Sequence, residues 1–138
     1  MIPNNLESNK EDIDNKEPYE YTEKDLEKLK AQKKVLGLLG FAVKSRNLIT
    51  GYNTCLKLIP TGKLKLLIIG SDVGDNTKEK MIQKCESYDI PIRIYGKCSD
   101  LSHATGKVDK GLFGITDDGF ARSLIKEIDK ILSEREVF

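Results

Sequence analysis

Asn53 and Lys57 stand four positions apart in the stretch GYNTCLK, residues 51 to 57. In a helix, at about 100° per residue, they fall within roughly 40° of each other, while Tyr52, Cys55, Leu56 and Ile59 gather on the other side. Such a helix docks by one face and offers an amide and an ammonium from the other. Asn53 also falls in the first turn, where unpaired backbone donors and the positive end of the helix dipole favour anions such as phosphates. An Asn amide both donates and accepts, so it can match a base edge; Lys57 can donate to a guanine carbonyl oxygen or to a phosphate. The spacing by itself is equally that of an ordinary amphipathic helix with its polar residues in water.

The surrounding charge bears on which reading holds. The formal net charge of +1 is a sum of opposites: the first 25 residues carry 3 Lys against 8 Asp/Glu, and the remaining 113 carry 20 Lys/Arg against 14 Asp/Glu. Between residues 26 and 70, Lys28, Lys30, Lys33, Lys34, Lys44, Arg46, Lys57, Lys63 and Lys65 face one acid, Glu27. That is the footprint of a polyanion partner, or else a set of solvated lysine faces on helices.

Catalytic chemistry finds little to stand on. The one histidine, His103, has no Gly-X-Ser-X-Gly elbow, phosphate loop or metal-ligand array beside it. Asp117 and Asp118 could pass for a general acid and base, but they precede Gly119-Phe120 at a helix start, where acidic caps belong. Asp72 and Asp75 follow a strand's carboxyl end, a common ligand position, and equally suit turn and cap chemistry. Cys55, Cys85 and Cys98 are odd in number, lie in or beside apolar segments, and form no CxxC pair. They read as reduced core cysteines. No enzyme, cofactor or metal is expected. The opening MIPNNLESNKEDIDNKE lacks the apolar core of a signal peptide, and no apolar run approaches the roughly 18 residues of a membrane span. A cytosolic protein without membrane contact is expected.

The elements that must position Asn53 and Lys57 follow from periodicity. At 138 residues the chain suits one domain. Residues 1 to 21, acidic and poor in large apolar side chains, are expected to be a disordered tail, with the folded domain over 22 to 138. Thr22-Glu23-Lys24-Asp25 has the pattern of a capping box, and Leu26, Leu29, Leu36, Leu39 and Val43 follow at near-helical spacing, which predicts a long first helix to about Val43. Gly37 and Gly40, each costing such a helix about 1 kcal/mol relative to Ala, suggest close approach of another backbone. NLIT, residues 47 to 50, is a strand candidate; the helix with the opening motif then stops near Pro60. Leu64 to Ile69 fits a central strand covered on both faces. Asn76-Thr77-Lys78-Glu79 looks like the start of a helix to about Tyr88, and Pro91 to Tyr95 alternates as a strand. A short helix over Leu101 to Thr105, the loop GKVDK, a strand over Leu112 to Ile115 and a helix capped by Thr116 or Asp117 complete the chain. Helices alternating with short strands predict a three-layer α/β/α sandwich around a small four-stranded mixed sheet.

Taken together, LGLLGFAVKSRNLITGYNTCLKLIPTGKLKLLIIGSDV, NTKEKMIQKCESYDIPIRIYG, LSHATGK and GITDDGFA resemble, in order and spacing, the kink-turn-binding ribosomal proteins of the L-seven-Ae type, in particular the small bacterial YlxQ-like members. The resemblance covers about Lys34 to Ile128. It implies a non-enzymatic RNA-binding protein associated with translation, whose partner is a kink-turn or similar bent RNA, with the ribosome as a further partner and a monomeric state. In that family a Gly-X-Asn-Glu-X-X-Lys helix start reads sheared G·A pairs, and the loop after Leu-Gly-X-Ala-X-Gly covers a flipped-out nucleotide. Position by position, this implicates Gly51 at the turn, Asn53 and Lys57 as contacts, and Gly106, Lys107, Val108 and Asp109 as the covering loop; the basic stretch, with Lys44 and Arg46, would position the RNA backbone. Three residues depart from the pattern. Thr54 replaces the Glu, so a hydroxyl stands where a carboxylate would accept guanine N–H donors; Asp109 puts a negative charge near phosphate; and Ser102 replaces a Gly. The departure at Thr54 also leaves room for a protein-interaction module of the same fold. A third possibility is the RNA-recruiting half of a ribosomal RNA methyltransferase, which would need its catalytic domain elsewhere.

Overall fold

Thr22 opens the first helix through the reciprocal bonds its sequence suggests. In the computed structural model, which describes residues 20–133, the Thr22 hydroxyl accepts from the Asp25 N–H at 3.1 Å and the Asp25 carboxylate accepts from the Thr22 N–H at 3.1 Å. This satisfies two of the donors that a helix start leaves unpaired. Residues 1–19 and 134–138, and with them most of the acidic segment expected over residues 1–21, lie outside the described residues.

The elements in chain order are α1 (Glu23–Lys44), β1 (Leu48–Thr50), α2 (Tyr52–Leu58, running into a 3₁₀ turn at Ile59–Thr61), β2 (Leu66–Ile69), α3 (Asp75–Ser87), β3 (Ile92–Ile94), α4 (Cys98–Thr105), β4 (Leu112–Ile115) and α5 (Asp118–Leu132). The strands form one sheet in the order β1-β4-β2-β3. β4 is antiparallel to β1 and to β2, and β2 is parallel to β3, so the sheet is mixed. All four residues of β2 and of β4 are buried, as a strand covered on both faces requires. On one side Leu66, Ile68, Phe113 and Ile115 pack with Val35 and Leu39 of α1, Leu101 of α4 and Leu124 and Ile128 of α5. On the other, Leu67, Ile69 and Leu112 pack with Cys55 of α2 and with Met81 and Cys85 of α3. The result is the three-layer α/β/α sandwich with a four-stranded mixed sheet.

Three local details add to or correct the expectations. The buried face of α1 is Ala31, Val35, Leu39 and Ala42, while Leu26, Leu29 and Leu36 are exposed; small side chains let α1 settle on the sheet and α5 through a stripe rotated away from the larger leucines. Neither helical glycine admits an unusually close backbone: a Cβ on Gly37 would meet nothing within 4 Å, and one on Gly40 would lie 3.8 Å from the Ala104 carbonyl oxygen, an ordinary contact. The third helix starts at Asp75 behind Gly74, with no side-chain cap, rather than at Asn76. Asp117, by contrast, caps α5 as expected, accepting from the Phe120 N–H at 2.9 Å.

Candidate nucleic-acid interface

Gly51 sets the entrance to α2. Its φ of 98° and ψ of 156° lie in a region that side-chain-bearing residues hardly populate. The turn is pinned on both sides: the Gly51 N–H donates to the Leu112 carbonyl of β4 at 3.1 Å, and the Gly51 carbonyl accepts from the Cys55 N–H at 3.1 Å. Cys55 and Ile59 are sealed beneath, at 0% and 1% exposure. Asn53, Thr54 and Lys57 are exposed. None of these three side chains makes a hydrogen bond or ion pair among the described residues. The helix is thus glued by its apolar flank and presents an amide, a hydroxyl and an ammonium outward. Tyr52, expected on the docking side, is exposed to 36%.

The loop 106–110 lies next to this entrance. A Cβ on Gly51 would stand 4.0 Å from the Lys110 ammonium nitrogen, so the loop's last lysine reaches over the turn into α2. Lys110 was not among the residues singled out by sequence, which offers no signal for it beyond its place at the end of GKVDK. The chain enters the loop through Gly106, whose φ of 69° ends α4 in a left-handed turn, with the Lys107 N–H donating to the Ser102 carbonyl at 2.8 Å. Ser102 then holds the far end. Its hydroxyl accepts from the Lys110 N–H at 3.0 Å and donates to the Lys110 carbonyl at 3.0 Å. Ser102 is buried. Residue 102 thus holds both ends of the loop to α4, the near end through its backbone carbonyl and the far end through the serine hydroxyl.

Between those anchors Lys107, Val108 and Asp109 are exposed, Val108 to 76%, and Asp109 takes a positive φ of 53°. A side-chain-bearing residue held there carries backbone strain. An apolar side chain so exposed at a fastened loop tip is free to cover a flat ligand surface. The structure brings the loop and the α2 entrance together. Lys44 ends α1 and Arg46 lies in the turn that follows into β1; both are exposed, Arg46 at a φ of 63°, and neither side chain makes a hydrogen bond or ion pair to the other candidates.

The interface is an outward-facing surface. Two clefts of about 1050 and 560 Å³ lie elsewhere on the molecule, and neither is lined by any of these residues. Of the other candidates for chemistry, Asp117 caps α5 and Asp72 serves the start of α4. Asp72 accepts from the Cys98 N–H at 2.8 Å, and its bonds to Cys98 hold its carboxyl below the usual range. His103 is exposed on α4. Among the described residues, no three His, Cys, Asp or Glu side chains gather as metal ligands would, and no helix is long and apolar enough to cross a membrane.

Residues 33–125 match the ribosomal protein L7Ae/L30e/S12e/Gadd45 family. The chain belongs to that family. It is 32% identical to the RNA-binding protein YlxQ of Bacillus subtilis strain 168 over 92 residues, which span 67% of this chain and 92% of that protein. It is similarly 32% identical to the large ribosomal subunit protein eL30 of Sulfolobus acidocaldarius over 96 residues, 67% of this chain and 92% of that one. Among solved structures, a Bacillus halodurans protein described as of unknown function superposes with a TM-score of 0.68 at 41% identity, covering 70% of this chain and 97% of its own. The matched span contains α2 and the 106–110 loop, so the surface described above belongs to the shared part of the family.

Proposed function

We propose that this protein is a non-enzymatic RNA-binding protein, associated with the ribosome or its assembly, that docks on a kink-turn or similarly bent RNA through the tip of α2 and the 106–110 loop. The observation that carries the reading is the pair Asn53 and Lys57: adjacent, exposed and unpartnered on a helix whose other flank is sealed. A bent RNA splays bases and exposes edges that a regular A-form groove hides. Asn53 can meet such an edge with donor and acceptor together, and Lys57 with a donor alone. Gly51 brings the backbone close, Lys110 and Lys107 offer charge to phosphate, and Val108 covers an unstacked base. Lys44 and Arg46 add sequence-independent phosphate contacts. The similarity to an RNA-binding protein and to a ribosomal subunit protein supports the same class of partner.

Thr54 sets the strength of this recognition. A hydroxyl accepts guanine N–H donors less well than a carboxylate, and a good base contact is worth roughly 1–3 kcal/mol, so the protein should discriminate bent from unbent RNA less sharply than a Glu-bearing relative. The test is titration of a kink-turn RNA and of the same RNA without its G·A pairs. The wild type should prefer the former, Asn53→Ala and Lys57→Ala should each lose about 5- to 150-fold on it, and Thr54→Glu should gain. Equal binding of the two RNAs by wild type overturns the specific claim. Weak salt dependence would favour an apolar protein interface instead, since phosphate contacts weaken steeply with salt.

A further inference from the structure

The 560 Å³ cleft between the start of α1 and the end of α5 has an unusual lining: Lys24, Lys28, Lys30, Lys34 and Lys130 on its walls, against Glu27 and Glu127, with Ala31 its one apolar side chain. Of these residues only Lys34 falls within the family match of 33–125. Most of the cleft's lining therefore lies outside the matched span. Glu127 is buried and fixes two of the lysines, accepting from Lys34 at 3.2 Å and from Lys130 at 3.4 Å. Lys24, Lys28 and Lys30 have no ion pair among the described residues. Lys24 with Lys28, and Lys30 with Lys34, are like charges one helical turn apart, an arrangement that repels in the free protein. An anion laid across them relieves the repulsion.

The cleft and the α2 tip are joined by one rigid element. α1 has 22 residues, and at about 1.5 Å per residue Lys28 lies roughly 24 Å along the axis from Lys44, which leads into β1 and α2. We propose that the α1–α5 cleft is a second RNA contact, a phosphate track for a double-helical stem that leaves the bend held at the α2 tip. The proposal rests on the reading of that tip as an RNA site. The lining favours a phosphate backbone because it sets five ammonium groups against two carboxylates, a charge balance that suits a polyanion. Contacts of this kind carry no sequence information; they add affinity and fix the direction of the stem.

The experiment titrates the full chain and its Lys24→Ala, Lys28→Ala, Lys30→Ala triple variant with two kink-turn RNAs, one with stems of about five base pairs and one of about fifteen, across a range of salt. Wild type should bind the long-stem RNA about tenfold tighter, with a steeper salt dependence. The triple variant should lose that advantage, its long-stem log–log salt slope shallower by about 2 to 3 at roughly 0.9 per phosphate contact, while its short-stem affinity stays at the wild-type value. A triple Lys→Arg variant should keep the advantage, which separates charge from any change in the helix. Asn53→Ala reads the other site and should weaken both RNAs by the same factor; if it weakens neither, the tip reading fails while the stem-length comparison still stands. The track is overturned if wild type and the Ala variant share the same slope and the same long-to-short ratio. It is equally overturned if the Ala variant binds both RNAs more tightly, because the cleft's occupant would then be the acidic segment of residues 1–19, with its five acids against two lysines.

Discussion

Replacing Glu127 by Gln separates stability from binding in the α1–α5 cleft. The Glu127 side chain is 4% exposed, and the Lys34 and Lys130 side chains that pair with it are 60% and 56% exposed. Burial acts against the charged carboxyl, but the Lys34 and Lys130 ammoniums together outweigh it and hold the group below its usual range. A hydrogen bond to a charged group contributes about 1.5–3 kcal/mol, and lysines this exposed bring the figure down towards the roughly 0.2–1 kcal/mol of surface pairs. Gln keeps the volume and one acceptor oxygen, so no cavity opens. The expected loss at neutral pH is about 1–2 kcal/mol for the two bonds together. Its pH dependence has a definite sign. A carboxyl with a depressed folded-state pKa contributes stability above the unfolded value, here 4.5, and loses it as pH falls through the lower folded value. Urea midpoints of wild type and Glu127→Gln should therefore differ fully at pH 7 and converge on acidification below 4.5. The same substitution removes a fixed anion from the proposed phosphate track, so long-stem RNA should bind more tightly even as the fold weakens. An unchanged midpoint at pH 7, or a gap that widens in acid, would refute the electrostatic account of Glu127.

Gly70→Ala should destabilise by about 1–3 kcal/mol, the usual cost of overpacking, because the new Cβ would fall 2.5 Å from the Cys98 sulfur and 3.4 Å from the Cys98 backbone. A thermal midpoint equal to wild type would mean that α4 gives way freely. The three thiols should be inert in the native protein. Burial pushes Cys55 up to about 12 and Cys85 to about 11, and partial burial together with the neighbouring Asp72 carboxylate pushes Cys98 to about 11, leaving almost no thiolate at neutral pH. A thiol-specific disulfide reagent should react with all three only after denaturant is added, and rapid native labelling of Cys55 or Cys85 would contradict the packing described.

What was legible in the sequence was what a few adjacent residues decide. The capping box at Thr22, the cap at Asp117, the stop at Pro60 and the two faces of α2 each depend on residues within one or two turns, and each is found in the structure. The buried face of α1 was not legible, because leucine spacing records only which residues could be buried; Ala31 and Ala42, weak signals of hydrophobicity, decide the contact by being small. The place of β4 between β1 and β2 depends on pairings across more than 40 residues and leaves no local trace.

That placement of β4 is also what makes the interface one surface instead of two. Gly51 hangs from Leu112 at the start of β4, and Lys110, two residues earlier in the chain, is gripped by Ser102 of α4. The loop and the α2 entrance are therefore referred to the same strand, and their separation is fixed by backbone bonds and one buried hydroxyl. A Gly at 102 would leave Lys110 without its side-chain anchor, so in this chain the loop's order is tied to a residue that touches no RNA in the proposed complex. On the proposed reading, Thr54 in place of a carboxylate weakens base reading, and the Ser102 hydroxyl stiffens the loop. Affinity gained by ordering the loop in advance costs less entropy on binding and is indifferent to sequence. If the α1–α5 cleft is the phosphate track proposed above, a hydroxyl at 54, a pre-ordered loop and that cleft together favour recognition by the shape and charge of the RNA over the identity of a single base pair.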